Sequence, residues 1–162
     1  MKQLLLIRHA KATHESGYID FERPLKHSGL QDAATVAMRL QEYSVIPQIL
    51  MASPALRTLT TANVFAEHLS LPKPETDKRI YDADLDTLID VVNELPDSYN
   101  FIGLVGHNPG ISQLLYHLTS EVRDMETCAA VLIAFETNKW SAVGKFSGSV
   151  AYYTFPGEVS NS

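Results

Sequence analysis

A chain of 162 residues with 45% hydrophobic and 20% charged side chains is long enough to bury an apolar core without staples, and it is expected to form one domain over residues 1–162. Its net charge of −6 argues against a nucleic-acid surface or a polybasic membrane patch, although a local cluster of arginine and histidine is compatible with it. Cys128 is the only cysteine, which excludes an internal disulfide. No apolar run resembles a signal-peptide core or reaches membrane length, so a cytoplasmic protein is expected.

Leu4, Leu5, Leu6 and Ile7 read as a strand buried on both faces, and the run stops at Arg8 and His9. In parallel sheets ligands sit in the crevice beyond such strand ends. Residues 10–27 show no apolar period and contain Gly17, Asp20 and Pro24, as a loop does. Within it Pro24 extends Arg23, which either reaches toward that crevice or pairs in solvent with Glu22 or Asp20. Ser28 and Gln31 have capping-box spacing, and Ala33, Ala34, Ala37, Met38 and Leu40 continue a helical stripe to about Tyr43.

A second strand is predicted over 45–52. Ser53 then reads as an N-cap with Pro54 at the first position of a helix running to about Leu69. This puts Arg57 in the helix's first turn, where a cation is unfavourable by roughly 0.3 to 1 kcal/mol. An anion bound at that N-terminus would compensate; otherwise Arg57 turns to solvent. Lys78 to Tyr81 is a short edge strand or extended link, and Asp84 or Asp86 caps a helix carrying Leu85, Leu88, Ile89, Val92 and Leu95.

Phe101 to Val105 is the third buried strand, ending at Gly106 and His107; Asn108 reads as a cap and Pro109 as the opening of a helix to about Leu118. His107, at a helix N-terminus, is biased toward the neutral form and can donate to phosphate. Cys128 falls at the start of an apolar stretch and reads as a buried strand residue. Ala129 to Phe135 and Ser149 to Phe155 close the chain as two strands, with fraying expected after Pro156. The expected fold is an α/β three-layer sandwich: a mostly parallel central sheet, helices on both faces, and one antiparallel strand near the edge.

Strand ends thus deliver Arg8, His9, Arg57 and His107, with Arg23 from the loop, and no carboxylate partner is evident for them. Guanidinium forks and imidazoles suit a doubly charged phosphate. Metal-hydrolase signatures, a Walker loop and a Gly-x-Gly-x-x-Gly turn are missing, so neither metal nor cofactor is expected. A histidine inside the anion pocket is then the convincing nucleophile. His14, His27, His68 and His117 receive no role, and Lys11 lines the mouth or is solvated.

Arg8-His9-Ala10 resembles the signature of the histidine phosphatase superfamily, the phosphoglycerate mutase-like proteins, which usually read Arg-His-Gly. Leu25 with Gly29 and Gln31, Ser53-Pro54 with Arg57, Thr61-Ala62, and Gly106 to Gly110 fall in the family's order. The resemblance covers residues 4 to about 119. Arg23-Pro24-Leu25, His107-Asn108-Pro109-Gly110 and the short length are most similar to the small SixA-type phosphohistidine phosphatases. It implies metal-independent transfer in which His9 takes the phosphoryl group, Arg8, Arg57 and Arg23 bind its oxygens, and His107 donates to it. In family members that cleave esters a carboxylic acid protonates the leaving group, and Asp82 is the best placed residue for that role.

Phosphohistidine needs such an acid less, because imidazole, with a pKa near roughly 6.5, leaves easily. The segments that larger relatives expand into a lid are short here, so no cap domain is expected. The resemblance therefore implies a phosphohistidine-bearing phosphotransfer protein as partner. A phosphomonoesterase acting on a small metabolite or phosphoserine is the alternative, and an idle phosphate-binding module a further one.

Overall fold

The computed structural model describes residues 1–158. Six strands form one sheet in the order β3-β2-β4-β1-β5-β6: β1 is Lys2–Arg8, β2 Ile49–Ala52, β3 Glu75–Thr76, β4 Phe101–Gly106, β5 Ala130–Phe135 and β6 Gly148–Thr154. β1, β2, β3 and β4 pair in parallel, while β5 runs antiparallel to both β1 and β6. The single reversed strand expected near the margin is therefore β5, one place in from the edge.

Four helices cover the sheet: α1 His27–Glu42, α2 Leu56–Leu69, α3 Leu85–Asn93 and α4 Gly110–Thr119. Alternate side chains of β1 divide between the faces, as strand geometry requires. Leu5 and Ile7 pack with Val36, Leu40 and Phe65 of α1 and α2. Leu4 and Leu6 pack with Leu88, Val92, Leu114 and Leu118 of α3 and α4. Two apolar clusters on opposite faces of one sheet make the three layers.

The register fixes where the site lies. Arg8 pairs with Gly106, and Ala52 with Val105, so β1, β2 and β4 end level along one edge of the sheet. His9, Ser53 and His107 are the residues that follow.

Several local expectations are corrected. α1 begins at His27 after Lys26, with no side-chain cap; Ser28 lies inside its first turn. The helix start is set instead by contact with the preceding loop: Lys26 N–H donates to the Lys11 carbonyl at 2.9 Å, and a Cβ at Gly29 would lie 2.3 Å from that same oxygen. β2 starts only at Ile49, because Pro47 offers no N–H and the Gln48 side chain is spent accepting from Asn100 and Phe101 at 2.6 and 3.0 Å. Lys78–Ile80 forms a 3₁₀ turn, the edge strand being Glu75–Thr76.

α2 is preceded by Ala55, and α4 by Pro109; neither Ser53 nor Asn108 is a helix cap. Asp84 does cap α3, accepting from Thr87 N–H at 2.9 Å. Cys128 is buried as expected, but in the turn before β5 with φ 61°, where its N–H donates to the His9 carbonyl at 3.0 Å. The fraying expected after Pro156 concerns partly residues 159–162, which lie outside the described residues. No helix among the described residues is long and apolar enough to cross a membrane.

Candidate active site

A cleft of about 690 Å³ lies at the level strand ends, and Arg8, His9, Arg23, Arg57, Asp82 and His107 all line it. Every residue expected at the site from the sequence thus borders one cavity. Lys11 and His14 line it as well.

His9 leaves the buried end of β1 and is itself only 9% exposed. Its Nδ1 is 2.7 Å from the Ala10 carbonyl, and a carbonyl can only accept, so Nδ1 carries the proton and Nε2 the lone pair. Ala10 is held in turn by its N–H, which donates to Thr61 Oγ1 at 3.0 Å, while that hydroxyl donates to the Arg57 carbonyl at 2.8 Å. The position usually occupied by glycine here needs none: Ala10 has an ordinary negative φ, and its methyl is buried in the cluster under α1 and α2. Burial lowers the His9 pKa to about 4, Arg57, Arg8 and Arg23 adding to the effect against the Ala10 hydrogen bond. The ring is neutral near pH 7.

His107 follows β4, its ring centroid 5.3 Å from that of His9. Its Nε2 lies 2.8 Å from Ser53 Oγ. Ser53 Oγ accepts from Ala55 N–H at 3.2 Å, and its own proton meets no other acceptor among the described residues. The hydroxyl therefore donates to Nε2, leaving the proton of the neutral ring on Nδ1. That Nδ1 is buried without a partner among the described residues, on a ring next to that of the nucleophile. Burial above all, then His9 and Arg57, pushes the His107 pKa down to about 3.

Arg8 NH1 donates to the Met125 carbonyl at 2.9 Å while its buried Nε has no partner among the described residues. The same carbonyl accepts from Asn108 Nδ2 at 3.0 Å. Asn108 also gives to Asp124 at 2.9 Å and takes the Ser112 hydroxyl at 2.7 Å. Asn108 thus braces the loop that steadies Arg8. Burial lowers the Arg8 pKa, and the Asp124 and Glu126 carboxylates oppose that shift; a guanidinium stays charged regardless.

The expectation that the cations lack carboxylate partners is overturned. Asp20, in a 3₁₀ turn of the loop, accepts from Arg57 NH2 at 3.0 Å and from Arg23 Nε at 3.1 Å. Arg23 NH1 further meets the Thr13 carbonyl at 3.0 Å and His14 Nδ1 at 3.2 Å, so of the two readings of Arg23 both hold: it pairs with Asp20 and lines the cleft. Tyr81, absent from the sequence expectations, gives its O–H to Asp20 Oδ2 at 2.6 Å and meets His107 edge-on, centroids 5.6 Å apart. Spacing offered no sign of the Asp20–Arg57 and Asp20–Tyr81 contacts, since the three residues come from distant segments.

Asp82 is exposed at the rim with φ 50°. Close packing of Gly110 against the Ala83 carbonyl, 2.9 Å from where a Cβ would stand, brings the Asp82 segment against the start of α4. Among the described residues no group of three or more His, Cys, Asp or Glu side chains is placed to hold a metal ion. Arg8 Nε, Arg57 Nε and His107 Nδ1 are buried without partners among the described residues, and their residues line the cleft together with His9. Buried donors without partners are costly, and an oxyanion is the kind of group that relieves that cost.

Comparison with known proteins gives the family. The model of the histidine phosphatase superfamily (branch 1) matches residues 4–99. An uncharacterized chloroplastic protein of Arabidopsis thaliana is 26% identical over 159 residues, covering 91% of this chain and 72% of its own. The crystal structure assigned as phosphohistidine phosphatase SixA from Agrobacterium tumefaciens superposes with a TM-score of 0.81 at 20% identity, over 96% of this chain and 99% of that one. Mycobacterial glucosyl-3-phosphoglycerate phosphatase in complex with VO3 gives 0.70 at 15% identity, over 96% and 100%. With more than half its length matched by the family model and its strand-end histidines and arginines gathered at one cleft, the chain belongs to the histidine phosphatase superfamily.

Proposed function

We propose that this protein is a metal-independent phosphatase that works through a phospho-His9 intermediate and removes phosphate from phosphohistidine on a partner protein. The observation that carries the reading is the His9 tautomer. With Nδ1–H on the Ala10 carbonyl, Nε2 presents its lone pair within the cleft shared with Arg8, Arg57 and His107.

In the first step Nε2 bonds to phosphorus while the P–N bond of the substrate, its phosphorylated ring protonated on the other nitrogen, breaks and neutral imidazole leaves. Arg8, Arg23, Arg57 and His107 Nδ1–H carry the charge on the phosphoryl oxygens, the positioning and electrostatic work that phosphoryl transfer asks of a protein. The His9 ring becomes cationic as Nε2 is phosphorylated, and the Ala10 carbonyl supports the positive ring. Water then attacks phosphorus, phosphate departs, and neutral His9 returns.

The choice of a P–N substrate rests on the leaving group: imidazole departs without a strong acid, and Asp82 is an exposed carboxyl at the rim. SixA, among the structural neighbours, is assigned to phosphohistidine. A basic rim of Lys11, Arg23 and Lys26 on a chain of net charge −6 also suits an acidic protein surface. The second reading, a phosphomonoesterase with Asp82 as general acid, is favoured by the position of Asp82 in the cleft and by a neighbour that acts on glucosyl-3-phosphoglycerate.

Turnover of a histidine-phosphorylated phosphotransfer domain is compared with that of p-nitrophenyl phosphate, in EDTA, for wild type and His9→Ala. Rapid dephosphorylation of the protein with weak ester cleavage, both lost in the variant, supports the P–N reading. Fast ester hydrolysis with no action on the phosphoprotein replaces it with the esterase reading.

A further inference from the structure

Asp20 is the residue that the mechanism above leaves without a task, although it touches more of the site than any other carboxylate. The Arg57 guanidinium is gripped at its terminal edge: NH1 donates to the Asp20 carbonyl at 2.7 Å and NH2 to Asp20 Oδ2 at 3.0 Å. Its Nε–H is buried with no partner among the described residues. Two contacts on one edge fix the plane of the fork. The Nε side is what remains for an oxyanion.

The same carboxylate holds the neighbours. Oδ1 accepts from Arg23 Nε at 3.1 Å, and Oδ2 from the Tyr81 hydroxyl at 2.6 Å. Tyr81 in turn walls His107 on one side and meets Phe21, the residue after Asp20, on the other, with centroids 5.6 and 5.1 Å apart. The Asp20 side chain is 55% exposed above an Arg57 side chain that is 7% exposed. It stands on the solvent side of the guanidinium, tied to elements that are far apart in sequence.

A carboxylate among phosphate-binding arginines acts in one of two ways, with opposite signs. As a stand-in anion it competes with phosphate, and its removal improves binding. As a brace it holds the far edge of the fork, and its removal loosens the near edge. The contacts favour the brace. One of the two grips on Arg57 is the main-chain oxygen, which a swing of the side chain would not release. A displaced carboxylate would also strand Arg23 and Tyr81 together.

We propose that Asp20 is a positioning residue for phosphoryl transfer that acts through Arg57, whose fork it orients in the phosphate pocket, its contacts with Arg23 and Tyr81 holding the carboxylate in place. The proposal rests on the phosphatase reading of this site. It adds a residue whose contribution passes through another side chain rather than through the substrate. Tyr81, then Arg57 and Arg23, hold the Asp20 carboxyl at about 2, so the brace is ionised throughout the neutral range.

The test is a double-mutant cycle of Asp20→Ala and Arg57→Ala, read as kcat and KM on whichever phosphorylated substrate the wild type turns over. Because small misplacement of a binding group costs up to about 100-fold, Asp20→Ala is expected to lower kcat by roughly 10- to 100-fold with KM within about threefold. In the Arg57→Ala background the same change is expected to cost less than about threefold, the signature of action through Arg57. Asp20→Asn, which keeps one acceptor oxygen, is expected to recover part of the loss and serves if the alanine variant fails to fold.

Equal losses in both backgrounds, an unaltered kcat, or faster turnover in either Asp20 variant would overturn the proposal. If the wild type turns over no substrate, the phosphatase reading has failed, and calorimetry with orthovanadate still decides on Asp20. Weaker vanadate binding by Asp20→Ala, with no further weakening in the Arg57→Ala background, supports the brace; equal or tighter binding rejects it.

Discussion

Ser53 Oγ lies 2.8 Å from Nε2 of His107, and this contact between the ends of two parallel strands leaves Nδ1 as the ring nitrogen with no partner among the described residues. Ser53→Ala leaves Nε2 without its partner and frees the ring to change tautomer. One net hydrogen bond is worth about 1 to 1.5 kcal/mol, so kcat is expected to fall roughly five- to tenfold. Steady-state kinetics on the phosphohistidine protein checks this, and an unchanged kcat would mean that Ser53 does not set the tautomer.

The depressed pKa of His9 predicts an unusual acid limb. The nucleophile is lost only as pH falls through about 4, so kcat/KM is expected to hold level from neutral pH to about 5. A free imidazole would begin to fail near roughly 6.5. A profile breaking at 6 to 7 in the free enzyme would contradict the buried, neutral His9.

Stability carries the same sign. In the unfolded chain His9 takes a proton near roughly 6.5, whereas in the fold it does so only near about 4, so the unfolded state binds more protons between those values. Its stabilising share is fully present above about 6.5 and is lost as pH falls toward 4. Thermal melts from pH 7.5 to 4.5 are expected to show a shallower loss of Tm for His9→Gln than for wild type. Equal slopes would remove the linkage.

Asp82→Asn separates the two substrate classes. An easily departing imidazole asks for no acid, so dephosphorylation of a phosphohistidine protein is expected to change less than about threefold. Any ester cleavage should fall by roughly 100-fold, the usual worth of a general acid. Parallel assays on one preparation give the answer; equal losses on both substrates would assign Asp82 to the P–N reaction as well.

Gly29→Ala tests how the loop over the cleft is seated. Its new methyl would stand 2.3 Å from the Lys11 main-chain oxygen, so loop and helix must part. The expected cost is roughly 1 to 3 kcal/mol in denaturant unfolding. A raised KM should accompany it, because the same loop carries Asp20 and Arg23. Wild-type stability would show that the loop yields freely.

Much of this architecture can be read along the chain, for a physical reason. β1 and β4 are buried on both faces, so their runs of leucine, isoleucine and valine stand out and their polar termini, Arg8 with His9 and His107, mark the functional edge at once. Helix starts were less legible. Ser53 has the chemistry of a cap but spends its hydroxyl on His107, and Asn108 spends its amide on Met125 and Asp124. A local rule is broken where the site needs the side chain elsewhere.

The contacts of Asp20 with Arg57 and with Tyr81 were hidden for a different reason. They span 37 and 61 residues, and no periodicity reports such a pairing. Only the parallel crossovers bring the three segments together. Gly29, by contrast, sits within a helix for a reason that lies in tertiary packing, against Lys11.

The central claim is that His9 Nε2 takes the phosphoryl group, and trapping the intermediate tests it most directly. The protein is mixed for milliseconds with a phosphotransfer domain carrying ³²P on histidine and quenched in alkaline detergent, and the labelled peptide is identified. The account predicts alkali-stable, acid-labile label on His9 in wild type and none in His9→Ala, with turnover abolished in the variant. Turnover that persists in His9→Ala, or label on another residue, would contradict it.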